Sequence, residues 1–229
     1  MRPAAASNRR IATLVALLAS SGFCLALLLV RTQRTGSEDY DFLAWNLFLA
    51  WVPFVLALLV YDARRRGVAG VGPLALGGLW LLFLPNAPYI VTDLIHLGAI
   101  TGAPLWFDAG MIAAFAFTGL VLGLGSLFLV QLALADAFGA RAGWALVLGA
   151  IPLCSVGIYV GRFLRLNSWD AIVDPAVLVG PVQTFLLDPL GAGRFLAVTF
   201  LFTGFLALSY FMLYSIAHVG LALEPARRR

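Results

Sequence analysis

At 229 residues, 62% hydrophobic and 11% charged, with a mean hydropathy of +0.97, the chain is too apolar for a soluble globular domain. Apolar runs of about 18 residues or more recur along its whole length, so a polytopic bundle of transmembrane helices is expected. The net charge of +4 rests on fifteen arginines and no lysine, and these sit in short clusters beside apolar runs. That is the pattern of membrane orientation signals and not of a nucleic-acid surface.

Six spans are predicted, in a single integral membrane domain covering 1–229, all-α throughout. The first runs over 11–30. Its start resembles a signal peptide, but no A-x-A site precedes Arg31 and Phe23 before Cys24 does not suit a lipoprotein-type cleavage, so it is expected to be retained. The second covers 42–61. The third covers 73–92 and continues, broken by Pro85 and Pro88, to 97. The fourth is 109–132, the fifth 143–161 and the sixth 194–218. Between the last two, 171–190 is apolar yet punctuated by Asp174-Pro175, Gly180-Pro181 and Asp188-Pro189, which predicts an interfacial or re-entrant element rather than a seventh span. Gly119 with Gly123, and Gly157 with Gly161, have the small-xxx-small spacing that lets helices approach closely.

Arginine counting sets the expected orientation. With the N-terminus inside, the inner segments hold ten (Arg2, Arg9, Arg10, Arg64 to Arg66, Arg141, Arg227 to Arg229) and the outer segments five (Arg31, Arg34, Arg162, Arg165, Arg194). Both termini are therefore expected in the cytoplasm. An arginine-only, Ala-, Gly- and Leu-rich composition suggests a GC-rich bacterial genome, and so the bacterial cytoplasmic membrane.

The stretch 73–97, PLALGGLWLLFLPNAPYIVTDLIHL, is the most informative. Hydrocarbon leaves freed backbone groups and ionisable side chains unsolvated, so a broken, charged span is tolerated where it lines protein or a wet cavity. On an α-helix Asn86, Tyr89, Asp93 and His96 fall within roughly 80° of one another. The following loop is expected to bring Trp106, Phe107 and Asp108, and the exit of the fifth span brings Arg162, Arg165, Asn167, Trp169 and Asp170. Asn46 lies just inside the outer end of the second span. The candidate ligand-binding residues are thus Asn86, Tyr89, Asp93, His96, Asp108, Arg162, Arg165, Trp169 and Asp170. Of these, Asp93 and His96 form a candidate carboxylate–imidazole pair for proton transfer. Arg162 and Arg165 have the spacing to clamp a phosphate or carboxylate. Each has a plainer alternative: snorkelling arginines, belt tryptophans, Asp93 or Asp170 in ion pairs that hold the loops, and Asn86 capping the proline-disrupted backbone.

Other chemistries find no support. His96 is expected on the outer side and His218 at the cytoplasmic end of the last span, a bilayer apart, so no cofactor and no metal site is expected. No Walker loop, G-x-G-x-x-G, G-x-S-x-G or H-E-x-x-H pattern occurs. Cys24 and Cys154, lying in apolar spans, are expected as buried small hydrophobes.

The blocks FLPNAPYIVTDLIHL (83–97), WFD (106–108) and GRFLRLNSWD (161–170) resemble the signature segments of a bacterial membrane family, domain of unknown function 1361. The resemblance covers roughly 40–220, with the first span peripheral to it. It implies a multi-span membrane protein and brings no activity, cofactor or catalytic residue. The residues themselves leave three functions open. One is a protein binding an anionic lipid or an envelope partner at an outer polar site. The others are a small proton-coupled transporter component and a membrane enzyme acting on a lipid-linked substrate.

Overall fold

Each predicted span winds into a helix, and the helices run further than the apolar stretches that announce them. The computed structural model describes residues 3–68, 70–98, 100, 102–174, 176 and 193–223. Among them there is no strand. Six helical stretches, 10–35, 42–65, 71–96, 105–138, 140–163 and 193–218, are long and apolar enough to cross a membrane. The protein is therefore a multi-pass, all-helical membrane protein. The expected interfacial or re-entrant element at 171–190 falls largely outside the described residues, as do Arg2 and the arginines at 227–229.

The chain divides into two compact units, 1–137 and 138–229. The first holds α1 (Pro3–Thr35), α2 (Phe42–Arg65), α3 (Val71–Phe83), the short α4 (Asn86–Tyr89), a 3-10 helix (Ile90–His96) and α5 (Leu105–Phe138). The second holds α6 (Ala140–Phe163), the single turn α7 (Asp170–Val173) and α8 (Gly193–Leu223). The stop after α2 shows how local sequence sets these ends. Gly67 takes φ 71°, its amide donates to the Arg64 carbonyl at 2.9 Å, and the Val68 amide donates to the Ala63 carbonyl at 3.0 Å. This is the paired closure that a left-handed glycine permits at a helix C-terminus.

In the first unit, the core gathers Leu43, Leu47, Ala50 and Phe54 of α2, Ala87 and Ile90 of the broken segment, and Met111, Ile112, Phe115 and Leu122 of α5. Packing here is close because two glycines remove side chains where the break meets α5. A Cβ on Gly119 would stand 2.5 Å from the Ala87 carbonyl oxygen, and one on Gly123 would stand 3.1 Å from the Ala87 Cβ. The expected small-xxx-small contact at 119 and 123 is thus an intramolecular one, between α5 and the break.

Ion pairs and buried hydrogen bonds tie the unit together. Arg10 forks onto Asp62 at 2.9 and 2.8 Å, joining the start of α1 to the end of α2, and Arg64 reaches Asp136 of α5 at 3.2 Å. Inside, the Trp80 indole N–H donates to Ser126 Oγ at 3.1 Å, and that hydroxyl donates to the Gly123 carbonyl at 2.7 Å. Ser126→Ala is expected to strand the buried indole donor at a cost of about 1–3 kcal/mol, where an exposed serine would cost almost nothing. Thermal unfolding in detergent, compared with Trp80→Phe/Ser126→Ala, checks this, because removing both partners restores most of the loss.

In the second unit α6 and α8 pack together around Trp144. Its ring stacks on Phe211 with centroids 5.5 Å apart and meets Tyr214 edge-on at 4.9 Å. α8 is apolar around its circumference, with Phe200, Leu201, Leu208, Met212 and Ile216 exposed, as suits a span that meets lipid.

Candidate functional site

The break in the third span follows from its prolines. Neither Pro85 nor Pro88 has an N–H to donate, so the α3 ladder ends with the Leu84 amide on the Trp80 carbonyl at 2.8 Å. A new turn then starts, where the first N–H groups of a helix lack intrahelical partners anyway and prolines cost little. The Leu84 carbonyl, deprived of Pro88, takes the Ala87 amide at 3.3 Å, and the Tyr89 amide reaches the Pro85 carbonyl at 3.0 Å. Beyond Tyr89 the winding tightens to 3-10.

This corrects the α-helical geometry expected for 86–96. In a 3-10 helix residues three apart eclipse, so Ile90, Asp93 and His96 share one ridge. Ile90 and Asp93 are fully buried, and His96 is half-buried with its ring 5.0 Å from Phe42. Asn86 and Tyr89 are half-buried at the two ends of α4. A second correction concerns Asp108. The expected loop ends at Pro104, and α5 begins at Leu105, so Asp108 sits in its first turn, where a carboxylate faces the positive end of the helix.

Around this ridge the first unit assembles a fixed polar cluster. Asn46 of α2 donates from Nδ2 to Asp93 Oδ2 at 2.8 Å. Arg31, in the last turns of α1, donates from Nε to Asp108 Oδ1 at 2.8 Å and from Nη2 to Oδ2 at 3.5 Å. Both partners are 1% exposed. The Tyr40 ring covers the guanidinium with its centroid 4.3 Å from Cζ, and the Tyr40 hydroxyl donates to the His96 carbonyl at 3.1 Å. Burial pushes the Tyr40 phenol above its ordinary value, which keeps it a donor. The turn between α1 and α2 is itself tied down: Thr35 Oγ1 donates to the Arg31 carbonyl at 2.9 Å, the Ser37 amide donates to Thr35 Oγ1 at 3.2 Å, and Ser37 Oγ bonds Asp39.

The second unit carries its own set. Arg162 is half-buried in the last turn of α6. Arg165 is exposed with φ 57°, the one non-glycine in the left-handed region among the described residues. The Leu166 amide closes the helix end on the Val160 carbonyl at 3.4 Å. Asp170 takes the Asn167 amide on Oδ2 at 2.7 Å and the Asn167 side chain at 3.2 Å, which shapes the turn that carries half-buried Trp169. At the same end, Arg194 of α8 places Cζ 6.0 Å from the Phe163 ring, and Tyr159 stacks on Phe163 at 5.0 Å.

With this geometry in view, a family model described as "Protein of unknown function (DUF1361)" matches residues 45–216. The chain belongs to that family. No curated protein and no solved structure matches it. The family match takes in Asn46, the broken span, Asp108 and the α6 exit, and stops short of α1 and the following turn. Arg31 and Tyr40, which sequence reasoning did not place at the site, therefore reach it from outside the matched residues. The predicted first span ends at residue 30 and leaves Arg31 outside it, whereas α1 runs on to Thr35 and carries Arg31 to a buried acid.

Proposed function

We propose that this is a binding protein of the bacterial cytoplasmic membrane, with both termini in the cytoplasm and an outward-facing polar site for an anionic lipid or envelope partner. The observation that carries a site is the burial of Arg31, Asp93 and Asp108, each at 1% exposure or less, beside one broken span. Apolar side chains would hold such helices together at least as well as buried ions do, so stability alone does not account for these groups. In this reading Asn86, Tyr89, Asp93, His96 and Asp108 form the binding set of the first unit. Arg162, Arg165, Trp169 and Asp170 form that of the second, and its arginines supply the preference for an anion.

A second reading, proton-coupled transport, draws on the 3-10 winding, which sets the Asp93 carboxylate and the His96 imidazole on one ridge. One pair of variants separates the two. Under the binding reading, native mass spectrometry of protein taken from membrane in mild detergent finds a defined anionic lipid enriched about tenfold over bulk. Arg162→Ala loses that enrichment and Asp93→Asn weakens it. Under the transport reading Asp93→Asn abolishes proton-coupled flux in proteoliposomes. Bulk-like lipid profiles from well-folded wild type and Arg162→Ala protein would sink the binding reading.

A further inference from the structure

We infer that Arg165 and Arg194, with Arg162, form a receptor for the phosphate of an anionic lipid headgroup at one end of the second unit. This rests on the outward-facing binding reading and gives it a chemical class and an added residue, Arg194. The three cations belong to the last turn of α6, the two residues beyond it and the first turn of α8. The Arg194–Phe163 contact brings the two helix ends together. Among the described acids of the same stretch, Asp170 accepts from Asn167, and Asp174 takes the Ala176 amide on Oδ1 at 3.3 Å.

Two considerations, one resting on the proposed orientation and one on the backbone, separate this from ordinary snorkelling. First, in the proposed orientation all three arginines lie on the outer side, against the bias that places arginine inside. Orientation therefore does not explain them. Second, Arg165 holds φ 57°, a backbone state that strains any residue with a Cβ and that glycine adopts freely. A helix end of this shape calls for glycine. An arginine kept there points to a use for the guanidinium itself, since strained non-glycine residues cluster at ligand sites. The aromatic rings beneath, Tyr159, Phe163 and Phe195, suit the depth at which acyl chains meet headgroups. A phosphodiester offers the oxygens a guanidinium fork grips in pairs.

The strain makes the test sharp, because the variant that removes the guanidinium also relaxes the backbone. The full chain in non-ionic detergent is mixed with phosphatidylglycerol, phosphatidylcholine or inorganic phosphate at matched ionic strength, and bound species are counted by native mass spectrometry. Wild type is expected to prefer phosphatidylglycerol to phosphatidylcholine about tenfold. Arg165→Gly is expected to raise Tm by about 2–4 °C while cutting that preference to about twofold. Arg194→Gln is expected to cut it similarly with Tm unchanged. An Arg165→Gly protein that keeps the preference, or whose Tm does not rise, overturns the inference and leaves the binding reading standing. Displacement of phosphatidylglycerol by millimolar inorganic phosphate assigns the site to a soluble anion and overturns the lipid source. A wild type without any preference overturns this inference and the anionic-lipid reading together.

Discussion

Gly119→Ala is expected to lower stability by about 2 kcal/mol or more and to disturb the Asp93 ridge, although alanine is ordinarily the better helix residue. The added Cβ would stand 2.5 Å from the Ala87 carbonyl oxygen and 2.9 Å from Ile90 Cδ1. A flexible side-chain tip could yield, but Ala87 O is backbone, and its position is set by the Pro85–Pro88 break. Relief therefore requires α5 or the whole 86–96 segment to shift, and Asp93 lies only three residues past Ile90. The matching control is Gly77→Ala in α3, where nothing lies within 4 Å of the new Cβ. That change is expected to be neutral or to stabilise by about 0.5–1 kcal/mol. Thermal melts of both variants in one detergent decide the matter. Equal behaviour of the two would show that α5 and the break do not pack as closely as these distances state.

The same segment shows what a sequence discloses and what it withholds. Six apolar stretches and the Pro85–Pro88 break were legible because length and hydropathy report burial in lipid directly, and because proline removes a specific hydrogen bond. Helix ends were not, since polar residues such as Arg10, Asp62 and Asp108 continue a helix beyond its apolar stretch when a partner awaits them. Nor was the change of winding at Ile90. An α-helical period groups Asn86, Tyr89, Asp93 and His96 on one face, whereas a 3-10 period aligns Ile90, Asp93 and His96, and only packing against α2 and α5 decides between them. The polar residues of the broken span were readable as unusual, because charge in an apolar span is rare enough to be noticed. Their partners were not. Arg31 and Asp108 are 77 residues apart, and no periodicity links two such positions. The Asn46–Asp93 bond, 47 residues apart, is of the same kind.

Arg31→Met is expected to destabilise the protein by about 3–5 kcal/mol, because it leaves the Asp108 carboxylate buried without its counter-ion. Asp108→Leu is expected to cost a similar amount by stranding the guanidinium. The double variant should recover most of either loss. Bringing both ions out of water is expensive, and this pair repays it incompletely: only the Nε contact is short, the second reaches 3.5 Å, and Arg31 Nη1 is buried with no acceptor. Replacing both ions by apolar side chains removes that stranded donor along with the charges. A double-mutant cycle read by thermal melts should therefore give a coupling of several kcal/mol with a double variant close to wild type. Single losses that simply add would show that the pair does not hold α1 to α5. The outcome also bears on function. If the double variant is as stable as wild type yet retains less anionic lipid, or has lost proton-coupled flux, the ion pair is kept for the site. The first span then contributes to that site through Arg31 and Tyr40 even though the family match begins only at residue 45.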